Sequence, residues 1–182
     1  MKDKELLADL VQHLAQQVRE EVENLSAEEL AWQPDAEANN IGVTVWHFSR
    51  WLDLLGVRAF ENRPAEEEQW YKRGWAEQTG YRPLGIGYAG LGAITGYTQE
   101  EVKAIPPLPA SGLLAYLEQV SEALRQKILA LPDGGLEQTA PGLGGKRTYY
   151  QFVKPILMGS FGHVGEIAAL KAMHARTRTA TI

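Results

Sequence analysis

Aliphatic residues recur at intervals of three and four along most of this chain, and almost nowhere at intervals of two. Leu6, Leu7, Leu10, Leu14, Val18, Val22 and Leu25 share one face of residues 3–25, with charged residues opposite. Leu113, Leu114, Leu117, Val120, Leu124, Ile128 and Leu131 repeat the pattern over 111–131. That period belongs to an α-helix packed along one stripe, and a strand would need alternation instead. Residues 41–61 and 149–174 read as two further long helices. Their boundaries carry stop and start chemistry: Asn39 or Asn40 can cap the second helix through its side-chain oxygen, and Pro64 breaks it. Pro132-Asp133-Gly134-Gly135 stops the third, and Thr148 or Tyr149 opens the last, with Pro155 inside its first two turns. Four long helices joined by shorter elements predict an all-α, antiparallel four-helix bundle.

The connections are also legible. Ser26-Ala27-Glu28-Glu29 begins a short helix that ends before Trp32-Gln33-Pro34. Residues 66–78 predict one short polar helix carrying Trp70 and Trp75. From Gly80 to Gly112 there are seven glycines and four prolines, so no long helix can run there. This Gly/Pro-rich insertion separates the second and third long helices, and Thr98-Gln99-Glu100-Glu101 opens one short helix within it. A connection of such length is of the kind that carries function. Residues 136–148 read as a Gly-rich loop, and the tail from Arg176 onward reads as frayed.

Composition narrows the function classes. A chain of 182 residues is read as one domain over 1–182, long enough to bury roughly 70% of its unfolded surface without staples. It has no cysteine, which excludes disulfides, thiolate metal sites and a cysteine nucleophile. The net charge is −5 and no Lys/Arg cluster stands out, so a nucleic-acid footprint is absent. No apolar run reaches the roughly 18 residues of a membrane span. The charged, helical start MKDKELLADL is unlike a signal peptide, which makes the cytoplasm the expected compartment. Two letter matches fail on context. Gly85-Ile86-Gly87-Tyr88-Ala89-Gly90 follows Pro83 rather than a strand, so it is no dinucleotide fingerprint. In Gly144-Gly145-Lys146-Arg147-Thr148, Arg147 stands where a phosphate loop needs Ser or Thr, and a solvated turn is expected. His13 borders the polar face of the first helix and reads as a surface histidine.

The second helix is apolar around most of its girth, with Trp46, Trp51, Leu52 and Leu55 among its members. Such a helix lies inside a fold, so His47 points into or beside the core. It is either a core histidine bonded to a neighbour or a metal ligand awaiting partners from another helix. His163-Val164-Gly165-Glu166-Ile167 on the last helix answers it. Trp46-His47, this late motif and Trp32-Gln33-Pro34, in this helix order, resemble the DinB/YfiT-like superfamily across the whole chain. The resemblance implies an up-down-down-up bundle, a divalent metal such as zinc or nickel held by three histidines, and chemistry on low-molecular-weight thiol adducts. It also implies a homodimer, in keeping with the apolar girth of the second helix and the aromatic-rich insertion. Carried over, the ligands are His47 and His163. The first histidine of the late motif is replaced by Gly159, which cannot ligate. His174 cannot substitute, because eleven residues span about 16 Å of helix. Glu166 shares a face with His163 and is either a third ligand or the carboxylate that orients it.

Two functional expectations follow. One is a metal-dependent enzyme, a thiol-adduct transferase or a hydrolase-like relative, with a degenerate site of His47, His163 and Glu166. The other is a small-molecule-binding or stress-associated protein that has lost the metal, its pocket lined by His47, Trp51, His163, Tyr81, Tyr88 and Tyr97.

Overall fold

The computed structural model describes residues 2–179, and within them every regular element is helical. Helix α1 spans Asp3–Val22, α2 Ala27–Ala31, α3 Ile41–Leu54, α4 Gln69–Lys72, α5 Trp75–Thr79, α6 Gln99–Lys103, α7 Ala110–Ala130 and α8 Tyr149–Thr179. The stripe residues Val11, Leu14, Val18 and Val22 of α1 are buried, as are Leu117, Val120, Leu124 and Ile128 of α7. Helix α3 buries ten of its fourteen residues, as its apolar girth requires. Asn40 caps it, accepting from the Val43 amide at 2.8 Å.

Contacts along the four long helices fix their directions. Lys4 reaches the Leu131 carbonyl and Arg19 pairs with Glu118 at 3.1 Å, so α1 and α7 are antiparallel. His13 meets Phe161 and Lys171 meets Glu21, so α1 and α8 run together. Phe60, just past α3, packs on Tyr149 while His47 packs on His163, so α3 opposes α8. Arg50 meets Tyr116 and Glu61 meets Lys127, so α3 and α7 run the same way. The core lies between these helices, and the two candidate histidines face each other where α3 meets α8.

Three details depart from the sequence reading. The single helix expected over 66–78 is a 3₁₀ turn, Ala65–Glu67, followed by α4 and α5. Glu68 is extended at ψ 150°, and Gly74 is left-handed at φ 76° between the two short helices. The break at Glu68 has a cause in α3: Asp53 accepts from the amides of Gln69 and Trp70 at 2.8 and 2.9 Å and starts α4 afresh. Helix α3 continues into a π-turn, Leu55–Ala59, in which the Phe60 amide bonds the Leu55 carbonyl five residues back at 3.0 Å. Helix α8 runs on to Thr179, so Arg176–Thr179 of the expected frayed tail are helical, and Ala180–Ile182 lie outside the described residues.

Candidate histidine site

The rings of His47 and His163 lie 5.1 Å apart, edge to face at 86°. Each has one nitrogen already engaged. His47 Nδ1 is 2.7 Å from the carbonyl oxygen of Ala93 in the insertion. A carbonyl can only accept, so Nδ1 carries the hydrogen and the neutral ring leaves Nε2 with a bare lone pair. His163 Nδ1 lies 2.6 Å from Glu166 Oε2, one turn on along α8. The carboxylate orients His163 in the same sense and again leaves Nε2 free. Phe48 stacks on His163 with ring centroids 6.3 Å apart. Burial, reinforced by His163, pushes His47 down to about 4 against the pull of Ala93. At pH 7 His47 is therefore neutral, and its Nε2 is an acceptor.

The insertion is laid along α3 as a strap. Three successive carbonyls accept from α3 and its π-turn: Ala93 from His47, Gly92 from Arg50 Nε at 3.2 Å, and Leu91 from Arg58 Nη1 at 3.4 Å. Gln99 ties the far end to the Glu37 carbonyl at 3.4 Å. The strap thus runs antiparallel to α3. Beneath it Arg50, 1% exposed, pairs with Glu68 at 2.5 Å and with Asp53 and Tyr116 at 3.3 and 3.1 Å. Tyr116 in turn donates to Asp53 at 2.8 Å. Burial pushes the carboxyls of Asp53 and Glu68 upward, and Arg50 opposes the shift in both. This cluster is absent from the sequence reading. Its signal was available in part, since Arg50 and Asp53 stand three residues apart on a helix with no polar face to put them on.

A model of the DinB superfamily matches residues 10–177 of this chain. The chain belongs to the DinB superfamily. The fold agrees: a solved structure described as a conserved protein from Enterococcus faecalis superposes with a TM-score of 0.73. It is 14% identical and the match covers 94% of this chain and 96% of that one, so the likeness speaks for the fold alone. Comparison with curated proteins finds no match.

The other residues singled out from the sequence of this DinB-superfamily member lie elsewhere. Tyr88 is 68% exposed and projects into solvent rather than onto the pair. Tyr81 and Tyr97 are half-buried, and Tyr81 packs on Trp46 at 5.7 Å. Trp51 is half-buried on α3. His13 is exposed, and His174, itself buried, packs against Trp32 at a tilt of 32° with centroids 5.1 Å apart. Gly159 has nothing within 4 Å of where a Cβ would sit, and the same holds at Gly162 and Gly165. Among the described residues no group of three or more His, Asp or Glu side chains is placed to hold a metal ion. The bare Nε2 atoms of His47 and His163 are suitable donors, but Glu166 is committed to His163 and the position of a third imidazole is a glycine. Metal centres with catalytic function have three protein ligands, so the donor set falls one short of a resident divalent ion.

Proposed function

We propose that this DinB-superfamily protein binds a small protic molecule, a thiol or an alcohol, between His47 and His163, and that His163 takes its proton. The observation that supports this reading is the pair of anchored Nδ1 atoms, 2.7 Å from Ala93 O and 2.6 Å from Glu166 Oε2. Two neighbouring imidazoles that both present lone pairs call for a hydrogen-bond donor between them. Glu166 orients His163 and stabilises the imidazolium that forms, so His163 is the general base. Neutral His47 accepts the second hydrogen bond and fixes the ligand. Gly159, four residues before His163 and on the same face of α8, has open space where its Cβ would sit and gives a ligand room to approach. Transfer or hydrolysis of a small thiol adduct is the reaction class, and the cytoplasm is the compartment in which it operates.

A second reading keeps the zinc or nickel ion on His47 and His163. Anchored Nδ1 atoms favour it, because metal-ligating histidines are oriented in that way. The missing third donor weighs against it, and no step above depends on it. Isothermal titration of untagged wild type and His163→Gln with zinc, nickel and glutathione separates the two. Thiol binding that disappears in His163→Gln, with metal affinity weaker than micromolar, is the expected outcome. Sub-micromolar zinc or nickel affinity in the wild type would reverse the order of the readings. We further propose that the chain pairs with a second copy, and a monomeric mass by light scattering at micromolar concentration would rule that out.

A further inference from the structure

We infer that Arg50 is a positioning residue for the histidine pair: it holds the Leu91–Ala93 strap in place, and through Ala93 it sets which nitrogen of His47 carries the proton. The inference rests on the site reading above only for the role of His47, and its test reads the ring itself.

Arg50 is fixed from three elements at once. Its Nη2 meets Glu68, which precedes α4, at 2.5 Å; its Nη1 meets Tyr116 of α7 at 3.1 Å and Asp53 of α3 at 3.3 Å. With both terminal nitrogens engaged, Nε–H has one outlet, the Gly92 carbonyl at 3.2 Å. The hydrogen bond is charge-assisted and buried, and the planar guanidinium cannot turn Nε away without releasing its carboxylates. The next carbonyl along the chain is the acceptor for His47. The strap needs such a clamp, because its local conformation is unfavourable. Ile94 has φ 68°, in the left-handed region that a β-branched residue avoids. Gly92 has φ 71°, and a Cβ there would fall 2.6 Å from the Pro83 carbonyl oxygen. Left without the Arg50 contact, the segment can relax, and Ala93 O moves off His47 Nδ1. A free imidazole then returns to its intrinsic tautomer balance, and the lone pair on His47 Nε2 is no longer assured.

The test follows the imidazole nitrogens of His47 by nitrogen-15 NMR in wild type, Arg50→Lys, Gly92→Ala and Tyr116→Phe, with thermal unfolding measured on each. Arg50→Lys keeps a charge near the carboxylates but has no Nε to offer Gly92. It is expected to shift His47 from the Nδ1–H form toward the Nε2–H form. Gly92→Ala displaces the same carbonyl from the other side, with the ion cluster intact, and should produce the same shift. Tyr116→Phe removes one neutral partner of Arg50 but leaves both carboxylates, Asp53 and Glu68, and the Gly92 bond in place, so it should lower stability and leave the tautomer unchanged. Should Arg50→Lys fail to fold, Arg50→Met, which fills the space and likewise offers no Nε–H to Gly92, takes its place beside Gly92→Ala. A His47 that stays Nδ1–H in the folded strap variants overturns the inference, as does an equal shift in Tyr116→Phe. Failure of thiol binding leaves these readouts unaffected, so the two ideas fail separately.

Discussion

His47 ties the site to stability. Its folded-state value of about 4 lies below the ordinary 6.5. Between those pH values the unfolded chain binds a proton that the folded chain refuses. Stability from this residue is therefore complete above pH 6.5 and is lost as pH falls toward 4. The size is on the order of 3 kcal/mol, from the fall from 6.5 to about 4 at about 1.4 kcal/mol per pH unit. Urea midpoints at pH 7.5 and 4.5 should fall steeply for wild type and less for His47→Gln; parallel slopes would mean that His47 is not the titrating group. Gly159 offers a second residue-scale test. A side chain there meets open space, so Gly159→His should fold, restore the four-residue spacing with His163, and bind zinc or nickel more tightly than wild type. Adding His47→Ala to that variant should weaken binding again, and equal affinities in all three proteins would sever the three positions from one another. The histidines themselves were legible in the sequence, one on an inward helix and one in a late motif. The role of Glu166 was not, since spacing allowed a ligand or an orienter; its 2.6 Å contact with His163 Nδ1 has the geometry of an orienter. The Arg50 cluster was hidden because Glu68 and Tyr116 lie 18 and 66 residues away from Arg50.

At the scale of elements, aliphatic period located the four long helices: α1 and α7 each bury one stripe, α3 buries most of its girth, and Asn40 before α3 and Pro132 after α7 mark boundaries. The same rules missed the division of 66–78: left-handed Gly74 parts α4 from α5, and the break at Glu68 comes from Asp53 on another helix. They also missed the π-turn at Leu55–Ala59, which has no composition of its own. That turn presses against the loop before α8. The Gly142 amide donates to the Ala59 carbonyl at 3.1 Å, and a Cβ on Gly142 would sit 1.7 Å from the Arg58 carbonyl oxygen. No side-chain adjustment relieves a clash with backbone, so Gly142→Ala should cost at least about 2 kcal/mol. Gly144→Ala is the internal comparison: Gly144 is left-handed at φ 91° with no neighbour within 4 Å, so only backbone strain of about 1 kcal/mol opposes it. Guanidinium denaturation of both variants should rank Gly142→Ala well below Gly144→Ala. The reverse order would mean that the loop yields and the π-turn does not depend on it.

Across the whole molecule, the bundle and the strap are held by different forces. Helices α1, α3, α7 and α8 share a core in which Val11, Leu14, Val18, Leu52, Leu124 and Ile128 are fully buried. Opening any of them exposes that core, so their amides should exchange only through global unfolding. The strap reaches the same core through Ile94 and Tyr97, both partly buried. It is held by side chains donating to its carbonyls and by internal bonds such as Tyr88 N to Thr95 O at 2.7 Å and Gly92 N to Ile86 O at 3.0 Å. Ala89 and Ile94 are left-handed within it, which favours its release. Hydrogen exchange read by mass spectrometry should therefore find residues 85–97 opening at lower free energy than α1 and α7, as a unit of their own. Arg50→Lys should lower strap protection much more than bundle protection, because the bundle's apolar contacts remain when the Gly92 bond is lost. Equal protection of strap and bundle in wild type would make the molecule a single cooperative unit, and the histidine pair would then owe its geometry to the whole fold rather than to the strap.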